Sequence, residues 1–276
     1  MPRRISNTRT AAIPPALNPA RLRAGLVLAV LAALVVFAVR AEAQPVVEQD
    51  PPMAAVPFSV GEELVFHAKF GILSAGTARM RVDGIDTVRG RPAYHVTFSV
   101  DGGIPFFHVH DRYDSWMDVE TLSSLRHEQH VSEGRYHRNT TYEIMPDREQ
   151  YQKNGEAPQP SVANPLDDGS FIYAVRAAGI RVGQTRTDDR YFMPDRNPVV
   201  LSGLREDTVT VGAGTFATTV VRPTIKSRGI FSDGGEAQVW FTNDDRRLPV
   251  LLKTHFSHFS LTLSLTSVTY GNVASR

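Results

Sequence analysis

The stretch FSLTLSLT, residues 259–266, alternates apolar and hydroxyl-bearing side chains at every position. Successive side chains of a β-strand point to opposite faces. The alternation therefore predicts a strand with one apolar and one wet face, which is typical of antiparallel sheets. The same pattern occurs in Leu64–Phe70, Ala78–Val82 and Tyr94–Asp101, so the fold is predicted to be mostly β.

Similar segments continue to the end of the chain and indicate about thirteen strands of ordinary length. Two of them, Val199–Leu204 and Asp207–Val211, are predicted as separate strands. So many strands must curl, close or split into two packed sheets. We therefore expect a strongly curved antiparallel sheet or an open barrel, with a two-sheet β-sandwich as the alternative.

One segment breaks the β pattern and predicts a helix of about thirteen residues, too short to persist without tertiary contacts. Asn164 can cap it, Pro165 suits its first turn and Gly179 can end it. Leu166 and Tyr173 fall on one face of this helix. We expect that face to pack on the apolar side of the sheet.

The N-terminal region predicts export. Several arginines precede an apolar run of 16 residues, Ala24–Val39, and small residues then lead to Ala43. This order is typical of a signal peptide over residues 1–43, cleaved after Ala43. The alternative is an inner-membrane anchor through residues 24–39, because the run is only slightly shorter than the ~20 residues of a spanning helix. A proline-containing spacer, 44–57, and a single β domain, 58–272, would follow.

The composition excludes several classes of function. The chain has no cysteine, which rules out disulfides, thiolate metal sites and a lipid-modified N-terminal cysteine. The chain after residue 43 holds 24 basic and 28 acidic residues. Because that balance leaves no basic stripe to neutralise phosphates, a nucleic-acid partner is not expected.

Enzymatic motifs are sparse, so the protein is expected not to be an enzyme. No Gly-x-Ser-x-Gly elbow is present. The best candidate chemistry is a metal site of His108, His110 and Asp114, because two histidines spaced by two on a strand share a face. The stretch loosely resembles the first metal motif of cupins, but the expected Glu is Asp114 and no second motif follows. A metal-dependent hydrolase therefore stays an alternative, and no cofactor is predicted.

Two predicted turns are unexpectedly apolar. Ile104, Phe106 and Phe107 form one of them, and Ile230 and Phe231 form the other. Apolar side chains in turns are less expected than in strands and often mark contact sites. We expect these five residues to surround the mouth of an apolar groove, or to touch a membrane or a partner.

Several short motifs together resemble a bacterial exported family, the domain of unknown function 3108. The motifs are Gly61-Glu62, Ser74–Ala78, Pro165–Asp167 with Ser170, Tyr173 and Arg176, Gly214–Phe216, and Trp240 with Asp244 and Arg247–Pro249. The resemblance implies an envelope protein with a curved antiparallel sheet and no transferable catalytic residues. Its layout is similar to that of periplasmic lipoprotein carriers, which hold acyl chains in an open half-barrel, and that likeness is an analogy of fold only.

The expected function is non-enzymatic. The first hypothesis is a periplasmic protein whose apolar groove binds an apolar ligand or an envelope-protein segment, with membrane contact only through the leader or the loop tips. The second is the metal-dependent hydrolase at His108 and His110. The third is a structural scaffold that joins partners through strand edges without a small ligand.

Overall fold

The computed structural model describes residues 56–104, 106–225, 237–256 and 259–271. The predicted signal peptide and residues 44–55 of the predicted spacer lie outside this part. Within it, no helix is both long and apolar enough to span a membrane.

Fourteen strands, one α-helix and two short 3₁₀ helices, Pro146–Arg148 and Pro194–Arg196, make up the regular structure of the described residues. The strands of the first half are β1 (Glu63–Phe70), β2 (Leu73–Val88), β3 (Arg91–Ile104), β4 (Phe107–Asp118), β5 (Ser124–Glu133), β6 (Tyr136–Met145), β7 (Gln150–Lys153) and β8 (Gln159–Pro160). Helix α1 (Asp168–Ala178) follows, and then β9 (Thr185–Asp188), β10 (Val199–Val211), β11 (Gly214–Ile225), β12 (Gln238–Thr242), β13 (Pro249–Phe256) and β14 (Phe259–Thr269).

All the strands belong to one antiparallel sheet with the order β8-β7-β6-β5-β4-β3-β2-β1-β14-β13-β12-β11-β10-β9. Each neighbouring pair is consecutive in sequence except β1 and β14, which join the two halves of the chain at the centre. The prediction of a curved, open sheet with one packed helix is confirmed. The two-sheet sandwich is wrong, because the pairing of β1 with β14 makes the two halves continuous.

The second half of the sheet curls back on itself. The backbone N–H of Ala213, in the turn between β10 and β11, donates to the carbonyl of Leu265 at 3.0 Å. This contact joins strands that are four places apart in the sheet order. Residues of one face of the sheet therefore surround a common interior, and α1 packs into it against β3 and β4.

Helix α1 begins later than the sequence indicates. Its N-cap is Asp167, whose side chain accepts from the backbone N–H groups of Gly169 and Ser170 and forms a capping box with Ser170. The prediction of Asn164 as the cap is wrong, since Asn164 has a positive φ of 50° and lies three residues before Asp167. The predicted end at Gly179 is confirmed.

Two strand predictions also need correction. Val199–Leu204 and Asp207–Val211 are one strand, β10, whose register shifts between Gly203 and Arg205. Such a bulge reverses the alternation of faces, which makes one strand look like two in the sequence. The sequence also predicts a strand over Thr187–Met193, but β9 ends at Asp188.

Candidate binding cavity and its polar wall

A small apolar cavity lies between α1 and the sheet. Its volume is about 50 Å³. The helix contributes Ile172 and Tyr173 to its lining, and the strands contribute Phe66, Met80, Phe98, Tyr113, Val239, Leu252 and Leu263. The cavity is therefore bounded on most sides by side chains that offer no hydrogen bond.

The alternation of the central strands explains this lining. Phe66, Met80 and Phe98 occupy inward positions of three adjacent strands, with Phe66 opposite Ala78 and Met80 opposite Phe98. All three side chains are buried. The stripe that the sequence pattern predicts as the apolar face of the sheet thus forms the floor beneath α1.

The inward face of β4 and β5 is different, because most of its buried side chains are polar. Asp111, Tyr113 and Ser115 alternate along β4 and are each at most 2% exposed. On β5 the matching inward positions are His127, Gln129 and Glu133, also buried, with the apolar Val131 among them. We call these inward residues of β4 and β5, together with Arg138 of β6, the polar wall.

A chain of hydrogen bonds fixes the side chains in the part of the polar wall around His127 and Gln129. Arg138 Nη2 donates to Gln129 Oε1 at 2.9 Å, which leaves the amide nitrogen of Gln129 to donate to His127 Nε2 at 3.0 Å. His127 Nδ1 in turn donates to the carbonyl of Asp114 at 3.0 Å. Both ring nitrogens of His127 are thus engaged, and the contact with a carbonyl oxygen requires a proton on Nδ1. Burial lowers the pKa of His127, but the nearby carboxylates of Asp167 and Asp168 outweigh this effect and raise it.

The same wall holds the N-terminus of α1. Ser115 Oγ donates to Asp167 Oδ1 at 2.7 Å, and the hydroxyls of Ser124 and Ser170 lie 2.6 Å apart. A side chain at Gly169 would collide with the Ser115 hydroxyl. The sequence therefore places glycine in the first turn of α1, where it weakens the helix, because the helix must approach β4 closely there.

Ser115, His127 and Asp167 do not form a hydrolase triad. The Ser115 hydroxyl gives its proton to Asp167 rather than to His127, although its oxygen is 3.1 Å from Nδ1. A general base needs a free ring nitrogen facing the nucleophile, and here Nδ1 itself carries a proton. All three side chains are buried, so the group fixes α1 to the sheet.

The outer part of the polar wall contains polar atoms that find no partner. In the described part of the chain, buried atoms without a hydrogen bond include Asp111 Oδ2, Tyr113 OH, Glu133 Oε2 and Arg138 Nε. The other oxygen of Asp111 accepts from the backbone N–H of Ser132 at 2.7 Å. Native structures leave few buried polar atoms unpaired, which makes this group a candidate for ligand contact.

Burial strongly affects the acids of this group. Burial raises the pKa of Asp111 to about 6, against the opposing effect of the Ser132 N–H. Burial, and then the nearby charge of Asp111, raise the pKa of Glu133 to about 7. Burial also raises the pKa of the Tyr113 hydroxyl well above its usual value. Near pH 7 the Glu133 carboxyl is therefore about half protonated, whereas Asp111 is mostly ionised and takes up its proton near pH 6.

The other end of α1 is fixed by a buried ion pair. Arg176 Nη1 and Nη2 donate to the two carboxylate oxygens of Glu62 at 2.6 and 3.0 Å. The same guanidinium donates to the carbonyls of Pro57 and Arg246. Arg176 is 1% exposed, so its charge is held by a complete set of acceptors next to the apolar cavity.

The apolar turn predicted from sequence lies at one rim of the sheet. Ile104 pairs with Phe107 across the turn, and both are half-buried, whereas Phe106 is fully exposed with a positive φ of 69°. The turn between β1 and β2, with the exposed Ile72 and Leu73, is at the same end, because these hairpins alternate ends along an antiparallel sheet. None of the three predicted turn residues lines the cavity.

The second predicted apolar turn cannot be placed in the same way. Ile230 and Phe231 lie outside the described residues. That the five turn residues surround a groove mouth stays a prediction.

His108, His110 and Asp114 do not converge. All three lie on the outward side of β4, where four residues of a strand span about 13 Å. His108 is exposed and His110 pairs with Asp101, while Asp114 is buried. The described residues hold no group of three His, Cys, Asp or Glu side chains that could bind a metal ion.

The carboxylate of Asp114 forms hydrogen bonds with side chains outside the predicted metal site. Arg112 donates to both its oxygens, at 2.6 and 2.8 Å, and His95 Nε2 lies 2.7 Å from Oδ1. Burial by itself raises the pKa of Asp114, but these hydrogen bonds outweigh it and lower the pKa to about 2. Asp114 is thus an ionised structural carboxylate on the outward face.

Asp111 and Glu133 are not among the site residues predicted from the sequence. A signal was available, because Asp111 is three residues from Asp114 on the same strand and must therefore face the other side. The inward face could not be recognised, since it carries polar residues on β4 and β5 where an apolar stripe was expected. Only the packing of neighbouring strands identifies which side is the interior.

Comparisons with known proteins agree with the fold. Residues 65–266 match the family described as "Protein of unknown function (DUF3108)". No curated protein matches the chain. A solved β-barrel-like protein of domain of unknown function DUF1849 from Brucella abortus is similar, with a TM-score of 0.50 and 10% identity over 78% of this chain and 99% of that chain. At that identity the similarity supports the fold alone.

Two further solved structures are more distant. One, described as a "putative lipoprotein" from Parabacteroides distasonis, has a TM-score of 0.36 and 11% identity over 78% of this chain and 98% of that chain. The other, a "putative exported protein with YmcC-like fold" from Bacteroides fragilis, has a TM-score of 0.30 and 12% identity over 77% of this chain and 97% of that chain.

Proposed function

Since the chain belongs to the DUF3108 family, whose function is unknown, we propose that it is a non-enzymatic protein of the bacterial envelope that binds an apolar group on the concave face of its sheet. In this proposal the protein works in the periplasm after cleavage near Ala43. The apolar group belongs to a small amphiphile or to a segment of an envelope partner.

The observation that carries the proposal is the apolar cavity beneath α1. Core side chains normally pack without voids larger than a water molecule. Here a cavity of about 50 Å³ remains between Ile172 of α1 and Phe98 of β3. An empty apolar cavity lacks the dispersion contacts of a packed core, and an apolar guest would restore them.

The size of the cavity limits the guest. Typical pockets for small molecules have about 300–1,000 Å³, so the unliganded cavity accepts only a chain end or a side chain. A longer chain requires α1 to move away from the sheet. Such movement is compatible with an open sheet, whose edge strands β8 and β9 do not pair with each other.

The scaffold alternative is less well supported. A scaffold that joins partners through strand edges needs long, accessible edges. The two edge strands, β8 and β9, have two and four residues. Very short edge strands are a common way to prevent pairing with other chains.

Binding of linear 1-alkanols of increasing length to the purified mature protein tests the proposal. Each added methylene is expected to tighten binding about fourfold until the cavity is filled, since a buried methylene contributes about 0.8 kcal/mol. Isothermal titration calorimetry gives the dissociation constants. Mass spectrometry of an organic extract of the protein purified from envelopes identifies any natural guest.

A pair of substitutions distinguishes alkanol binding in the cavity from alkanol binding at the protein surface. Ile172→Phe enlarges a cavity-lining side chain and is expected to weaken alkanol binding about tenfold or more by taking up the space. Val182→Phe adds similar apolar area at an exposed position away from the cavity and is expected to leave binding unchanged. If no alkanol binds the native protein, or if both variants bind equally well, the proposed function is wrong.

A further inference from the structure

The unpaired atoms of the polar wall indicate which head group the guest carries. We propose that Asp111, Glu133 and the Tyr113 hydroxyl form a binding site for a primary ammonium group whose apolar chain enters the adjoining cavity. This inference rests on the proposed function, because the chain of the ligand uses the same cavity. It adds the chemical class of the ligand.

The first support is the set of acceptors that face the interior. Asp111 Oδ2, Glu133 Oε2 and Tyr113 OH are buried and have no hydrogen-bond partner within 3.5 Å. The Tyr113 hydroxyl is nevertheless close enough to Asp111 to lower the pKa of that carboxyl. The residues share the inward face of two paired strands, since Val109 pairs with Glu133 and Asp111 follows two residues along β4. A primary ammonium has three N–H donors, one for each of these three oxygens.

The second support is the continuity with the cavity. Tyr113 is 2% exposed and belongs to both features, since its side chain lines the cavity and its hydroxyl is one of the unpaired atoms. Asp111 precedes it by two residues on the same face of β4. A ligand with an ammonium at the acids therefore has its chain next to Phe98 and Met80.

Charge selects an ammonium over other head groups. Asp111 and Glu133 together with Arg138 carry a net charge of −1 when both carboxyls are ionised, and one ammonium cancels it. An anionic head group would be repelled by the two acids. Ca²⁺ and Mg²⁺ need six or more oxygen ligands, and the described residues hold no group of three His, Cys, Asp or Glu side chains that could bind a metal ion.

Binding of an ammonium group at this site is expected to change the protonation of Asp111 and Glu133. Ammonium binding favours the ionised carboxyls, whose pKa values in the unliganded protein are about 6 for Asp111 and about 7 for Glu133. Other charged groups also act on this site: Arg138 from β6 and His110 from β4 on Asp111, and Asp168 from α1 on Tyr113. Affinity for an alkylammonium is therefore expected to rise between pH 5 and pH 8, with release of protons on binding.

The test compares probes with the same chain and different heads. Octylamine, 1-octanol, octanoate and octyltrimethylammonium are titrated into the mature protein at pH 8, each below its critical micelle concentration. Octylamine is expected to bind about tenfold or more tightly than 1-octanol, because hydrogen bonds to charged groups contribute more than neutral ones. Octyltrimethylammonium has the charge but no N–H donors and is expected to lose most of this advantage.

Matched variants test whether the tighter binding of octylamine than of 1-octanol depends on Asp111 and Glu133. The double variant Asp111→Asn with Glu133→Gln keeps the shape and is expected to bind octylamine no more tightly than 1-octanol. Glu128→Gln removes a carboxylate from the outward face of β5, the strand that carries Glu133, and is expected to keep the preference. Tyr113→Phe, which removes one acceptor and keeps the ring, is expected to reduce it partly. Thermal unfolding of each variant verifies that it is folded.

The outcomes distinguish the two proposals. If octylamine and 1-octanol bind with equal affinity, or if the double variant keeps the preference, the ammonium site is wrong while the apolar binding function stands. If none of the alkyl probes binds, the proposed function fails and the ammonium site falls with it. Calorimetry in two buffers of different ionisation enthalpy gives the proton release, and the absence of release at pH 6.5 would also contradict the site.

Discussion

The inward faces of β1–β3 and of β4–β5 are continuous, yet they are built from different chemistry. The first carries Phe66, Met80 and Phe98, and the second carries Asp111, Gln129 and Glu133, all buried. Both parts alternate with the period of a strand, so both satisfy the same backbone geometry. Burial of a sheet face therefore does not require that the face be apolar, provided that hydrogen bonds satisfy its polar groups.

The two regions differ in how completely they satisfy their polar groups. Beside the apolar region, the guanidinium of Arg176 has acceptors for its charge in Glu62 and two carbonyls. In the polar wall the group around Asp111 and Glu133 leaves atoms unpaired. The first arrangement is typical of a structural contact, and the second is typical of a site that is completed by a ligand.

The largest effect is expected for Arg176→Met. This change leaves Glu62 as a buried carboxylate without its cation, and breaking a buried ion pair in this way costs about 3–5 kcal/mol of unfolding free energy. Chemical denaturation measures the loss. The exposed Arg205→Met serves as the control. A loss smaller than 1 kcal/mol would mean that α1 does not depend on this pair.

A smaller loss, about 2–5 kcal/mol, is expected for Leu265→Ala on β14, opposite Phe66 of the apolar region, because the variant leaves a cavity at a fully buried site. The matching change in the polar wall is Ser115→Ala. It is expected to cost only about 1–2 kcal/mol, since Asp167 keeps the N–H donors of Gly169 and Ser170. Equal losses in urea denaturation would contradict the distinction between the two regions.

The polar wall is also expected to make stability depend on pH. The folded-state pKa values of Asp111 and Glu133, about 6 and about 7, lie above the ordinary values of 3.8 and 4.5. The folded state thus binds more protons than the unfolded state in this range, and the contribution of these groups to stability falls as the pH rises from about 4 to about 7.

The double variant Asp111→Asn with Glu133→Gln removes this dependence. Its melting temperature relative to the native protein is expected to increase from pH 5 to pH 8, as followed by circular dichroism. The single variant Glu128→Gln, on the outward face, is the control. Parallel pH profiles for the native protein and the double variant would show that the two acids are not perturbed.

The smallest effect on stability is expected for Phe106→Ser at the rim. Phe106 is fully exposed, and substitutions at such positions change stability by no more than about 0.5 kcal/mol. A larger destabilisation would show that the rim is part of the core. Unchanged stability together with weaker alkanol binding would support the predicted mouth of the groove.

The turn at the rim and the helix show which features the sequence pattern predicts correctly and which it does not. The apolar turn from Ile104 to Phe107 was recognised, but none of its residues lines the cavity. The helix was recognised with its end at Gly179, whereas its start moved to Asp167, because the capping box and the contact with Ser115 stabilise that cap. The metal hypothesis grouped residues by sequence spacing, and Asp114 is instead held by Arg112 and His95.

The sequence by itself determined the fold class and most of the strands, because alternation with period two is a local property that FSLTLSLT displays without any partner. Tertiary structure alone decided that β1 pairs with β14, which makes one curved sheet instead of two. It also decided that Asp111 and Glu133 face the interior. The physical reason is the same in both cases: alternation separates the two faces of a strand, while only its neighbours determine which face is buried.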